Sequence, residues 1–216
     1  MRAFLSSSLL AFLFLSWPVP FRQSIPSASS GSSQSATSST SASSTSISFA
    51  EKLFVRGVPN AGKVSERLFR GGQTRLDALT ELKKLGITTI VDLRSGSSRA
   101  GEPERSRAES LGMHFVSIPV GGFSNPTSAQ LAQFFSLLRQ SPKERIFVHC
   151  RLGDDRTGVF IAAYRIAFDH WSADPALSEM NAFGFNHSWH PSMVTFVRTL
   201  PDRLQSDPVL KSSLSH

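Results

Sequence analysis

Apolar positions divide the chain into three stretches. Residues 1–23 open with Arg2, run apolar from Leu9 to Trp17 and are interrupted by Pro18 and Pro20. Residues 24–48 are mostly Ser and Thr and hold almost no large apolar side chain. From residue 49 onward, short β-branched runs alternate with segments whose apolar residues recur every three or four positions. In this third stretch "ERLFRGG" predicts a strand closed by a glycine turn at Gly71 and Gly72. "TRLDALTELKKLG" places Leu76, Leu79, Leu82 and Leu85 along one helical face, with Thr74 as cap and Gly86 as stop. "ITTIVDL" has the composition of a strand buried on both faces. "PERSRAESLG" predicts a short helix ending at Gly112, and "HFVSIPV" a strand. "TSAQLAQFFSLLRQ" predicts a helix with Thr127 and Gln130 at capping-box spacing and Leu131, Phe134, Phe135 and Leu138 on one side. "RIFVH" is a further buried strand and "TGVFIAAYRIAF" a buried apolar helix. Two more helices are predicted, "DPALSEMNAF" with Asp174 as cap and Pro175 as first residue, and the segment from Pro191 to Leu200.

Strands that alternate with helices imply an α/β fold, a three-layer sandwich with a mostly parallel central sheet flanked by helices. In such sheets ligands sit beyond the carboxyl ends of the strands, which is where His149 to Arg156 falls. Residues 1–23 read as a signal peptide, with an uncleaved N-terminal anchor as the alternative, since no clean small-residue cleavage site follows. Residues 24–48 read as a disordered linker, because nothing in them offsets the entropy of ordering. The folded domain is then 49–216. Export to a periplasmic, extracellular or envelope-anchored position is the expectation, with membrane contact only through the N-terminal segment if it is retained.

Charge and cysteine content narrow the chemistry. The formal charge is +7, and because Arg2 and Arg22 precede the folded part while every acid lies beyond residue 50, the folded part keeps +5. That balance suits an anionic ligand, but the basic residues are scattered among acids with no aromatic interleaving, so nucleic acid is not an expected partner. A monomer is expected. A single cysteine excludes any intramolecular disulfide, leaving Cys150 as either a small buried hydrophobe or a reactive thiol.

The surroundings of Cys150, "HCRLGDDRTG", favour the second role. A strand running through a tight loop into a helix aims successive backbone N–H groups into one concavity, with the positive helix end behind them. Those groups hold a cysteine as thiolate, a nucleophile competent toward phosphorus. Arg156, six positions later, offers a planar fork for two phosphate oxygens. Gly153 permits a turn where a Cβ would intrude, and Thr157 can donate its hydroxyl to the sulfur. Arg151, Leu152, Gly153, Asp154 and Thr157 are the residues expected to line the phosphate seat, with His149 orienting the loop from behind.

This run, His-Cys-x-x-Gly-x-x-Arg-Thr-Gly, resembles the signature of the cysteine-dependent tyrosine and dual-specificity phosphatase superfamily, and "LFRGGQT", "LKKLGITTIVDLRS", "IPV" and "AFGFNHSWHP" are similar to bacterial members. The resemblance implies a phosphatase-like fold, phosphomonoester hydrolysis through a phosphocysteine intermediate on Cys150, and no metal or other cofactor. Phosphorylated protein or a small phosphoester would be the substrate. One departure is informative. Relatives commonly take an Asp general acid from a loop upstream of the cysteine, yet this chain has no Asp or Glu from Ser110 to Lys143. Asp155 beside Arg156 matches the position of a proposed proton donor in some bacterial and phosphoinositide-directed relatives, with Asp154 as competitor.

Blander roles stand beside these. Asp154 and Asp155 are ordinary residues to cap a helix. Asp92 sits before Arg94 and can face the site, with pairing to an arginine the simpler duty. His114 reads as a structural histidine, Phe123 as a cleft wall or a packing residue, and "FGFNHSWH" as site closure or core. Competing functions are a catalytically weak phosphate-binding module, a phosphoinositide or inositol phosphate phosphatase, and a sulfurtransferase, the last disfavoured by the Arg156-Thr157-Gly158 run.

Overall fold

A computed structural model describes residues 47–96 and 98–215. The leader and all but the end of the Ser/Thr linker lie outside these residues. In chain order the elements are β1 (Glu51–Lys52), β2 (Gly62–Lys63), β3 (Leu68–Gly71), a 3-10 turn (Leu76–Ala78) leading into α1 (Leu79–Lys84), β4 (Thr89–Arg94), α2 (Ser98–Ser110), β5 (His114–Val120), α3 (Ser128–Gln140), β6 (Ile146–His149), α4 (Asp155–Ala167), α5 (Ala173–Ala182), α6 (Pro191–Ser206) and α7 (Pro208–Leu214).

The sheet runs β1-β2-β3-β6-β4-β5. The β3-β6, β6-β4 and β4-β5 pairs are parallel, and β1 and β2 add a short antiparallel edge. Alternation along the strands separates two apolar layers. Leu68, Val91, Leu93, Ile146 and Val148 face the layer built with α3 to α7, while Phe69, Ile90 and Phe147 face the one closed by α1 and α2. Both faces of the sheet are therefore dry, which is why "ITTIVDL" and "RIFVH" are continuously apolar or β-branched rather than alternating with charge. Among the described residues no helix is long and apolar enough to cross a membrane.

Several boundaries differ from the sequence expectation. The capping box at Thr127 and Gln130 is formed, and Gly86 and Gly112 take the left-handed φ of +81° and +68° that ends α1 and α2. Thr74 is no cap: Arg75 precedes the 3-10 turn without a side-chain bond, and the Thr74 hydroxyl is buried. Leu76 and Leu85 are exposed, because the 3-10 geometry at the start rotates the stripe so that only Leu79 and Leu82 reach the core. α2 starts five residues before Pro103, and α5 begins at Ala173 after Ser172, so Asp174 lies in the first turn instead of capping it. β1, β2 and α7 were not anticipated.

Register positions the functional loop. Gly71, His149 and Asp92 are Cα partners across β3, β6 and β4, so the three central strands end level with one another. The loop 150–154 leaves the middle strand at that edge.

Candidate active site

Cys150 follows the last residue of β6 and is 1% exposed. The Gly153 N–H donates to its Sγ at 3.3 Å, so the loop curls back and presents an amide to the sulfur. Gly153 holds φ +83°, and a Cβ there would lie 2.5 Å from backbone atoms of Gly71 and Gly72. Only glycine fits this position. The Gly153 carbonyl is tied down in turn, accepting from Arg70 Nη2 at 2.7 Å and Asn60 Nδ2 at 3.1 Å.

The wall behind the loop is the turn after β3. Gly72 packs on the Leu152 backbone, Gln73 N–H donates to the Arg151 carbonyl at 3.0 Å, and Gly71 offers its carbonyl to the Thr157 hydroxyl at 3.4 Å. Fully buried at the second residue after the head of α4, the Thr157 hydroxyl is satisfied by this strand-end carbonyl. Arg70 is fully buried, lies over the Phe183 ring at 4.0 Å, and leaves Nε and Nη1 without partners among the described residues. Burial lowers its pKa to about 10, against the charges of Glu179, Cys150 and Asp154, which favour the cation.

His149 is buried with Nδ1 3.1 Å from the Cys150 carbonyl and Nε2 3.2 Å from Glu104. Asp92, Glu104 and His149 converge within 4.8 Å, and Arg94 reaches both carboxylates, at 2.7 Å and 2.5 Å. Burial disfavours the charged Asp92, but the Arg94 hydrogen bonds and the nearby His149 outweigh it and hold the carboxyl below its ordinary range. The arginine pairing considered for Asp92 is therefore formed. This buried cluster braces the loop from beneath.

At the head of α4, Asp154 caps the helix, its Oδ1 accepting from the Asp155 N–H at 2.8 Å. Asp155 is the first helical residue, and its Oδ2 lies 3.2 Å from His190 Nε2. Burial raises the Asp155 pKa, the negative charge of Asp154 raises it further, and His190 and Arg156 oppose the shift. Arg156 is braced by carbonyls at two strand ends, its Nη1 donating to Val120 at 3.2 Å and Leu93 at 3.5 Å. It borders a cavity of about 500 Å³ shared with Gln73, Arg94, Arg105, Phe115 and Arg151. Arg151 and Leu152 are exposed at the rim.

The structure thus gathers Cys150, Gly153, Asp155, Arg156 and Thr157 around one loop, as the contiguous sequence required. It adds Asn60, Arg70, Gln73 and His190 from distant segments. Of "FGFNHSWH", Phe183, Phe185 and His190 are buried and Trp189 is exposed. His114 is exposed, 4.0 Å from Glu144. Phe123 is 82% exposed and stacks on His190, so it stands at the surface above Asp155's partner.

Comparisons with known proteins agree with this architecture. A family profile described as "DSP-PTPase phosphatase fused to NAD+ Kinase" matches residues 30–194. The chain is 32% identical over 133 residues to the dual specificity protein phosphatase TpbA of Pseudomonas aeruginosa, an alignment covering 58% of this chain and 55% of that protein. It therefore spans about half the length of this relative. Dual specificity protein phosphatase 26 of Rattus norvegicus is 27% identical over 125 residues, 56% of this chain and 58% of its own. The fold matches crystal structures of P. aeruginosa TpbA in complex with pTyr (TM-score 0.60, 20% identity, 73% of this chain and 96% of that one) and of the catalytic core of the S. cerevisiae PP-IP phosphatase SIW14 in complex with citrate (TM-score 0.61, 20% identity, 74% and 94%). With a parallel sheet whose central strand runs through the Cys150 loop into α4, and the profile spanning most of its length, the chain belongs to the DSP-PTPase phosphatase family described as fused to NAD+ kinase.

Proposed function

We propose that the domain hydrolyses phosphomonoesters through a phosphocysteine intermediate on Cys150. The observation that carries this reading is the Gly153 N–H directed at a buried Cys150 sulfur at the head of α4. In the first step Sγ attacks phosphorus, the bond to the leaving oxygen breaks, and Asp155 supplies that oxygen with a proton. Loop amides and the α4 N-terminus neutralise the phosphoryl oxygens, and Arg156 binds two of them. In the second step water attacks phosphorus, its proton passes to the Asp155 carboxylate, and the sulfur leaves as thiolate. His149, whose Nδ1 lies 3.1 Å from the Cys150 carbonyl, keeps the loop in register with the sheet.

Burial and the neighbouring Asp154 raise the proton affinity of Asp155, the direction a proton donor needs. Phosphotyrosine is the leading substrate class, by analogy with the relatives. A second reading, a polyphosphorylated small molecule, is favoured by Arg151 beside Arg156 on a cavity whose other arginines, Arg94 and Arg105, are paired with carboxylates. Export through the N-terminal 23 residues is likewise proposed, and fractionation with an antibody to the folded domain tests it.

Replacing Asp155 with Asn tests the acid. Phosphotyrosine, whose leaving group needs a proton, should lose about 10²-fold or more in kcat, while p-nitrophenyl phosphate should lose far less. Equal losses remove Asp155 from the mechanism. Cys150→Ser must abolish both, and residual activity at the parent rate would refute the nucleophile.

A further inference from the structure

His190 immediately precedes Pro191, the first residue of α6, and is 7% exposed. Its ring lies between two phenylalanines, Phe123 at 5.5 Å and Phe185 at 5.9 Å between centroids, each inclined by 28°. This stack fixes the plane of the imidazole and leaves Nε2 3.2 Å from Asp155 Oδ2. The charged and titratable groups facing the Asp155 carboxyl are Asp154 and Arg156 from its own loop and helix, and His190 from the residue before α6. Of the two cationic groups among these, Arg156 and His190, it is His190 that lies within 4.0 Å of a carboxyl oxygen.

A carboxyl has two oxygens, and a proton donor works only if the proton rests on the one facing the leaving group. A donor held against Oδ2 makes that oxygen an acceptor and leaves the proton to Oδ1. We propose that His190 is the positioning residue for Asp155: its Nε2–H donates to Oδ2, reserves Oδ1 for the transferred proton, and stabilises the carboxylate left when that proton departs. The inference rests on the reading of Asp155 as general acid. Its balance is complete. When the Sγ–P bond forms and the P–O bond breaks, the Oδ1 proton goes to the leaving oxygen. When water attacks the phosphocysteine, a water proton returns to Oδ1 and thiolate is released. His190 neither gains nor loses a proton in the cycle, which a fixed Nε2–H tautomer accommodates.

Two substitutions in the full chain separate donor from shape. His190→Phe keeps a flat ring between Phe123 and Phe185 but has no donor. His190→Gln loses the ring but carries an amide N–H on a side chain of similar reach. The expected result for His190→Phe is a loss of roughly tenfold to a hundredfold in kcat on phosphotyrosine, a fraction of a full acid contribution, with p-nitrophenyl phosphate changed by less than about threefold. The basic limb of its kcat-pH profile should move to higher pH, because a carboxylate deprived of its donor ionises less readily. His190→Gln should recover most of the phosphotyrosine rate. Equal losses on both substrates, or an unmoved basic limb, would overturn the proposal. In the unmodified protein, nitrogen-15 histidine spectra should find Nε2 protonated at neutral pH, and a proton on Nδ1 alone would overturn it even if both variants failed to fold. Failure is distinguishable from failure of the acid reading: Asp155→Asn with no leaving-group bias defeats both, whereas bias in Asp155→Asn without bias in His190→Phe defeats this inference alone.

Discussion

Gly153→Ala is the most demanding single test of how the loop is built. The residue holds φ +83°, and forcing an alanine there costs about 1–2 kcal/mol from the clash between Cβ and its own backbone. The added methyl would also lie 2.5 Å from Gly71 C and Gly72 N and 2.6 Å from Gly71 O, all backbone atoms of the neighbouring turn. Carbon contacts relax at about 3.5–4.0 Å, so loop and turn must part by roughly 1 Å, at a cost of about 1–3 kcal/mol. Together these give about 2–5 kcal/mol, or about 5–15 °C in Tm for a domain of this size. Activity should fall further than stability, because the same movement withdraws the Gly153 N–H from Cys150 Sγ and the Gly153 carbonyl from Arg70 and Asn60. A 1 Å misplacement of a reacting group is worth about 10² in rate. The measurements are thermal unfolding by circular dichroism and kcat/KM on p-nitrophenyl phosphate, taken where the variant is fully folded. Gly122→Ala is the control, since a Cβ there meets nothing within 4 Å. An alanine at 153 within 2 °C and twofold of the parent, matching the control, would refute the argument that the loop is locked by this contact.

Two further outcomes follow from buried charge. Glu179 is 1% exposed, binds Arg165 Nε at 3.0 Å and Nη2 at 2.7 Å, and accepts the Ala50 N–H. Because Arg165 keeps Asp169, Glu179→Gln should lose about 2–3 kcal/mol in urea unfolding, toward the low end for a broken buried pair, with the folded-state rate within threefold, and an unchanged midpoint would contradict this. For Asp92, whose folded pKa lies below the unfolded value, the unfolded chain binds the extra proton, so its stabilisation is full above about pH 4 and lost as pH falls through the depressed value. Asp92→Asn should therefore be less stable than the parent at pH 7, with the gap narrowing as pH drops below 4, and a gap that stays constant with pH would sink the linkage.

How much of this was legible in the sequence depends on the range of the interactions concerned. β4, β5 and β6 were readable because each is buried on one or both faces by side chains within a single run, and α3 because its capping box and apolar stripe are local. The two-residue strands β1 and β2 carry no periodic signal and exist only because β3 offers them an edge. The start of α2 was hidden by Pro103, which reads as a first-turn residue but stands inside the helix. Thr74 looks like a cap because the local pattern fits one, and the 3-10 turn that displaces it is set by the segment between β1 and β2, where the Gly57 carbonyl accepts from the Arg75 N–H.

The same distinction governs the site. Cys150, Gly153, Asp155 and Arg156 lie within seven residues, so spacing alone brings them to one loop, and the absence of acids between Ser110 and Lys143 directs attention to Asp155. What spacing cannot reveal is the closure of that loop from outside. Arg70 and Asn60 reach the Gly153 carbonyl from 83 and 93 residues away, and His190 comes from the far side of α5. The available signals were indirect: a charged residue inside an otherwise buried strand in "LFRGG", and a histidine poised before the proline of α6. A charge that a strand buries on both faces needs a partner at the strand's end, and in this fold that end is the loop. The segment upstream of β6, which holds no acid in this chain, supplies Phe123, whose ring lies on His190. That segment thus reaches Asp155 through the ring of His190, so a change at Phe123 acts on the His190–Asp155 pair without touching the loop itself.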